Sequence, residues 1–409
     1  MSKLSSRIER TSKDFFYNIL ASVILTGIMQ VLVYPSLARW VSISAYGVVV
    51  TAMGIINTLA GGLGASLNNT RLIMNSEYNQ RHLRGDFNLL MSVLSITSAI
   101  ALFCIGIFYL EYDLLTSLII GITSGLMVCR QYFIVDYRLV LNFKKVLISN
   151  TFGAIGYIVG LVLFFFGVRI WAIIFLCSEV FSITYVFKSS AVWKEPFTKT
   201  VLFSKTTKKV AILLVSILFA NMLTYFDRIF LYPTLGSETV SIYTVASFFG
   251  KSLAIVMTPI SGVLLGYFAQ DGYQFDNKKF FGFNLLIVGI SFAFALIAMI
   301  ISPFFTKLLY PSIFESAKSY VLIANTAAII AVSCNMLQTV ILKFSPTYYQ
   351  IYKEGVYAIV YFGLSFLMMS KWGLWGFCIA ALISNLTKYL IITCMGVVTF
   401  NNENRKLKR

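Results

Sequence analysis

FNLLMSVLSITSAIALFCIGIFY, residues 87–109, contains no charged side chain. At about 1.5 Å of rise per residue, this run makes a helix roughly 35 Å long, enough to cross the ~30 Å hydrocarbon core of a bilayer. Arg81, Arg84 and Asp86 bound it on one side, and Glu111 and Asp113 on the other. Eleven further apolar runs of similar character lie near residues 15–37, 43–66, 114–135, 146–167, 170–187, 209–231, 239–268, 281–302, 319–342, 352–370 and 373–399. Over all 409 residues, 58% are apolar and 12% charged, and the mean hydropathy is +0.82. A soluble domain carries about 25% charged residues and cannot hide this much apolar surface from water. The composition excludes a soluble enzyme, a secreted disulfide scaffold and a disordered chain. It predicts an all-α polytopic membrane protein of about twelve transmembrane helices.

The net charge of +17 would suit a nucleic-acid binder, but its placement points elsewhere. Short connectors rich in Lys and Arg stay in the cytoplasm. The N-terminus (Lys3, Arg7, Arg10, Lys13), the even connectors (Arg71, Arg81, Arg84; Arg138, Lys144, Lys145; Lys188, Lys194, Lys199, Lys205, Lys208, Lys209; Lys278, Lys279; Lys343, Lys353) and the tail (Arg405, Lys406, Lys408, Arg409) hold most of the 33 cations. The odd connectors hold Arg39, Arg169, Lys307, Lys318 and Lys371. This asymmetry predicts cytoplasmic N and C termini, contact with anionic lipid headgroups and no nucleic-acid partner. The first run is long and lacks a small-residue cleavage site, so it reads as a retained helix rather than a signal peptide. The six cysteines stand singly in apolar runs and read as small core residues; His82 is alone in a charged connector. No metal site or cofactor is expected.

The longest even connector, about 188–208, divides the chain into six-helix bundles over 1–200 and 201–409. Tyr34, Pro35, Ser36 and Leu37 end the first run; Tyr232, Pro233, Thr234 and Leu235 end the seventh. Tyr46 and Tyr243 follow at nearly equal distances. Parallel repeats of this kind place a substrate path between halves that rock against each other.

These repeat ends carry a resemblance. Asn18, Pro35 to Arg39 and Tyr46-Gly47 resemble the opening spans of polysaccharide transporters in the multidrug/oligosaccharidyl-lipid/polysaccharide (MOP) exporter superfamily. Tyr225-Phe226-Asp227-Arg228, Leu235-Gly236, Val240 to Tyr243 and Gly373-Leu374-Trp375-Gly376 are similar to later spans of that family, and its O-antigen flippase (Wzx-type) branch is the nearest in pattern. The resemblance implies a MATE-like fold in the bacterial inner membrane. It also implies a flippase that moves undecaprenyl-diphosphate-linked oligosaccharide units to the outer leaflet, with a downstream polysaccharide polymerase as partner. The alternatives are a multidrug or small-molecule antiporter of the same superfamily and a membrane-embedded glycan polymerase or acyltransferase. Multidrug exporters of the superfamily carry an acid within the first span, whereas Asp14 lies only at its entrance. The short odd connectors and single histidine argue against an enzyme.

An ionisable residue at membrane depth is expensive unless it faces protein or water, so each one is a functional candidate. Glu179, Lys251 and Lys388 fall near the middle of their runs, Arg130 toward the inner side of the fourth, and Asp227 and Arg228 near the end of the seventh. Together with Tyr225, the cations Arg130, Lys251, Lys388 and Arg228 and the acid Asp227 are expected to line a cationic cavity for a diphosphate and its sugars. Glu179 is the candidate for ion coupling, with a salt bridge to Arg130 or a lysine as the plainer reading. Gly61, Gly62 and Gly64 ahead of Asn68 and Asn69 predict close helix packing. Pro259 and Gly262 predict a kink.

Overall fold

The computed structural model describes residues 16, 17, 19–268, 276–345 and 348–407. Asn18, Asp14, the four N-terminal cations, Lys408 and Arg409 lie outside these residues, as do the side chains of Pro259, Gly262, Arg405 and Lys406. Among the described residues the regular structure is helical throughout, without a strand.

The long helices are α1 (Ile19–Trp40), α2 (Ile43–Gln80), α3 (Asp86–Phe108), α4 (Leu114–Leu139), α5 (Phe143–Val168), α6 (Ala172–Ser189), α7 (Phe203–Thr224), α8 (Phe226–Ala246), α9 (Phe248–Phe268), α10 (Asn277–Leu309), α11 (Val321–Phe344) and α12 (Tyr348–Leu407). Ten helices of the described chain are long and apolar enough to cross a membrane, eleven if α8 and the start of α9 form one bent span. The chain is thus a multi-pass membrane protein. The apolar stretch Tyr349–Asn401 of α12 is 53 residues long. At about 1.5 Å per residue it would reach roughly 80 Å, far beyond one bilayer core. It breaks at Gly373 (φ 55°, ψ −133°) and folds back, with Tyr357 bonded to Asn385 and the Tyr361 ring tilted against Phe377. The hairpin accounts for the runs expected at 352–370 and 373–399.

Local chemistry sets the helix boundaries. The Asp113 carboxylate accepts from the Leu115 and Thr116 amides at 3.1 and 3.0 Å and starts α4; Asp276 does the same through Lys279 at 2.8 Å and starts α10. Pro35 has no N–H to give the preceding turn. That turn widens into a π-helix over Met29–Val33, in which the Tyr34 amide donates to the Met29 carbonyl. In the second copy of the motif, Pro233 lies inside α8, which breaks at Gly236 (φ 84°, ψ 168°). At Ser247, between α8 and α9, the hydroxyl donates to the Tyr243 carbonyl at 2.8 Å, competing with the backbone where the helix is interrupted. The kink expected at Pro259 falls on side chains outside the described set.

Two compact units result: residues 1–37 with 45–237, and residues 38–44 with 238–409. In the first, α5 and α6 approach so closely that a methyl added at Gly156 would lie 2.5 Å from the Cys177 carbonyl oxygen, and one at Gly160 2.5 Å from the Ile174 Cα. The expected packing glycines behave likewise: Gly62 faces Leu218 of α7 and Gly64 faces Gln131 of α4. Asn68 donates to the Gln131 carbonyl at 2.6 Å and accepts from Arg138, which also reaches Asn69. In the second unit, Gly250 of α9 meets Asn325 of α11, whose Oδ1 accepts from the Gly250 amide at 2.7 Å. The segment 38–44 joins this unit through Arg39 donating to the Leu308 carbonyl, Ser312 to Ala38 and Ser241 to Ile43.

The long connector is shorter than expected, because α6 runs through Ser189 and α7 begins at Phe203. It is also bolted to the first unit. Asn88 donates to the carbonyls of Val192, Trp193 and Glu195; Asp86 accepts from the Thr200 amide at 2.7 Å; Asp136 accepts from the Ala191 amide at 2.7 Å; and Arg71 pairs with Glu195 at 2.6 Å. Burial raises the Glu195 carboxyl against the opposing pull of Arg71. Cys334 and Cys378 are buried as expected of core residues, but Cys394 is exposed.

Candidate functional site

Apolar helices bring charged side chains to membrane depth, so the site is sought where those charges gather. In the first unit, Arg130 on α4 and Glu179 on α6 meet in a bidentate pair, Nε to Oε2 at 2.6 Å and Nη2 to Oε1 at 2.9 Å. Both residues are buried, and a planar guanidinium matched to a carboxylate satisfies two donors and both oxygens at once. Tyr157 of α5 lies beside the pair. The structure therefore realises the plainer reading of Glu179, with Arg130 as its partner.

The second cluster of the first unit surrounds Arg228. The α7 helix stops at Thr224, Tyr225 takes non-helical angles, and α8 restarts at Phe226. Arg228 Nη1 then donates to the Val50 carbonyl of α2 at 3.4 Å. Its guanidinium lies 5.5 Å from the Tyr225 ring and close to Tyr34, Tyr46 and Asp227. Gly54 provides the room: a methyl there would lie 3.3 Å from Arg228 Cδ. Among the described residues Arg228 Nε is buried without a hydrogen-bond partner, and the Tyr34 hydroxyl lies against the same guanidinium. Of the residues expected here, Tyr225, Asp227 and Arg228 are together. Tyr34 and Tyr46 were singled out as repeat markers, Tyr46 also within the resemblance, and not as site residues; Tyr46, like Tyr78, Tyr132 and Tyr137, is fully buried.

The second unit holds a charge cluster that the sequence reading missed. Within the α12 hairpin, Glu354 lies between two lysines, with Lys353 Nζ at 2.8 Å from Oε1 and Lys388 Nζ at 3.6 Å from Oε2. Lys388 rests 4.5 Å from the centre of the Tyr357 ring, whose hydroxyl donates to Asn385 Oδ1 at 3.0 Å; Asn385 Nδ2 donates in turn to the Ala327 carbonyl. Lys353 corrects an expectation. It was assigned to a cytoplasmic connector, but α12 starts at Tyr348 and its side chain is fully buried. The acid beside Lys388 is Glu354, not Glu179. A signal existed in the sequence, since Glu354 is the only acid between Glu315 and Glu403. Lys251, on α9, lies 5.1 Å from the ring centre of Tyr243, the repeat counterpart of Tyr46.

No family model and no curated protein sequence matches the chain. Solved structures do. The Vibrio cholerae MATE transporter VcmN in the bent form shares the fold over 99% of both chains, at 13% identity and a TM-score of 0.64. An outward-facing multidrug resistance MATE family transporter of the MOP superfamily matches over 96% of both chains, at 13% identity and a TM-score of 0.68. An inward-facing structure of such a transporter matches over 96% of both, at 12% identity and a TM-score of 0.64. The chain thus has the MATE fold over nearly its whole length, at identities that speak for the fold alone.

Proposed function

We propose that this protein is a flippase that moves undecaprenyl-diphosphate-linked oligosaccharide repeats of the O-antigen type from the cytoplasmic to the outer leaflet of the bacterial inner membrane, with both termini cytoplasmic. The observation that carries the reading is the cation surplus within α12 of the second unit, where Lys353 and Lys388 share the single carboxylate of Glu354. Such a surplus suits a substrate whose invariant polar part is a diphosphate. Solved neighbours of this fold have inward-facing and outward-facing conformations, which supports alternating access here as well. Within the first unit, taken by itself, the half-buried Arg228 and Tyr225, 5.5 Å apart, are the candidate sugar contact. Chemistry on the substrate is not needed: it is bound, exposed to the other side and released, then consumed by a polymerase.

The test is reconstitution of the full chain in vesicles with an undecaprenyl-diphosphate-linked oligosaccharide, scoring its arrival in the opposite leaflet. Transfer well above that of empty vesicles is expected. Efflux of small organic cations with no leaflet transfer for several matched glycans would reassign the protein to the drug antiporters.

A further inference from the structure

The Lys353, Glu354 and Lys388 cluster has more donors than its one carboxylate can serve. Lys353 is fully buried and holds Glu354 closely, at 2.8 Å, whereas Lys388 is only 12% exposed and holds it loosely, at 3.6 Å. A third donor adjoins them. Gln350 Oε1 accepts from Lys353 Nζ at 3.3 Å and from Gln338 at 3.5 Å, which fixes the amide's orientation and leaves its Nε2 buried with no partner among the described residues. Glu354 is the most exposed of the three charged residues, at 25%, so the carboxylate is the member with a way out. Lys388 keeps its place without it: the Tyr357 ring under the ammonium is itself fixed by Asn385 and, through it, by the Ala327 carbonyl.

We propose that Lys353, Lys388 and the Gln350 amide form an anion site within the second unit that Glu354 occupies at rest, and that the substrate's diphosphate enters by displacing Glu354. The inference rests on the diphosphate-linked substrate proposed above. A diphosphate carries more charge than one carboxylate and has enough oxygens to accept from all three donors, so it outcompetes Glu354. Returning, Glu354 re-pairs the lysines and expels the anion, and neither state leaves a buried ammonium without a counter-ion. Glu354 is therefore a built-in competitor, setting how tightly the substrate is held and how fast it leaves.

The sign of one substitution separates this from a plain salt bridge. Full-length protein in lipid nanodiscs is titrated with inorganic diphosphate by calorimetry. Glu354→Gln removes the competitor and keeps the shape, so binding tightens by about tenfold. Glu354→Asp, with a shorter reach toward Lys388, tightens it less and serves if the Gln variant fails to fold. Lys388→Gln abolishes binding, and Lys318→Gln, on a remote exposed residue, leaves it unchanged. In vesicles, Glu354→Gln slows leaflet transfer because product is no longer displaced. Binding by Glu354→Gln or Glu354→Asp that equals or falls below wild type overturns the proposal. Absence of diphosphate binding in every variant, with leaflet transfer intact, overturns the site and spares the flippase. Tightened diphosphate binding with no leaflet transfer of any glycan keeps the site and overturns the flippase.

Discussion

Two helical carboxylates, one in each unit, are used in opposite ways. Glu179 is matched oxygen for nitrogen by Arg130, with both residues buried, so the pair is balanced and closed. Glu354 is shared by two lysines at unequal distances, is a quarter exposed, and leaves one positive charge over. A closed bidentate pair has little to offer an incoming ion and holds α4 to α6; a shared carboxylate can leave without stranding its partners if another anion arrives. The presence of a charge in a membrane helix is therefore a poorer guide to function than whether its partner can be exchanged.

The largest expected effect comes from breaking the balanced pair. Arg130→Met or Glu179→Leu alone strands a buried charge and lowers stability by about 3–5 kcal/mol, while the double variant recovers most of it. Denaturant unfolding in detergent measures this, and single variants as stable as wild type would erase the contrast between the clusters. Next, Lys388→Gln leaves Glu354 paired with Lys353, so the unfolding midpoint barely moves while leaflet transfer falls at least about tenfold, or roughly 1.4 kcal/mol in the barrier. Arg228→Gln keeps the tyrosines but removes the guanidinium. Transfer of a glycan should fall about fivefold with unchanged inorganic diphosphate binding, a smaller change in free energy than the tenfold loss.

The smallest effect compares helix caps of the two units. Asp113 accepts from the Leu115 and Thr116 amides and also from the Thr116 hydroxyl at 2.5 Å, whereas Asp276 accepts from the Lys279 amide. Asp113→Ala should cost about 1 kcal/mol, and Asp276→Ala less. The Thr116 hydroxyl and amide bonds hold the Asp113 carboxyl below its ordinary range. Its contribution is therefore present above the usual aspartate pKa and fades as the pH falls through the lowered value; solvent exposure keeps it small. Unfolding midpoints measured for wild type and Asp113→Ala should converge on acidification.

Most of the apolar runs were legible because each is set by its own composition, as 87–109 is by its flanking charges, but the breaks at Tyr225 and Ser247 fall inside the runs expected at 209–231 and 239–268, where composition does not mark them. Arg130, Glu179, Lys251 and Lys388 stood out for the same local reason. The Arg130–Glu179 pairing was among the expected readings, but the partner of Lys388 was not. Glu354 and Lys388 are far apart along the chain and meet only because Gly373 reverses α12, and Arg71 reaches Glu195 across 124 positions. Lys353 was misplaced because the polar residues at the start of α12 look like a connector until the helix is seen to begin at Tyr348. The anchoring of the connector was hidden in Asp86 and Asn88, two short polar residues whose reach depends on what folds over them.

The segment 38–44 has a consequence for biosynthesis. It emerges from the ribosome with the first two helices, yet its hydrogen-bond partners Leu308 and Ser312 lie 269 and 274 positions later. At about 5–20 residues per second, translation takes roughly 15–55 s to deliver them. For that time the hairpin tip between α1 and α2 is without these partners, so assembly of the second unit has to return to the oldest part of the chain.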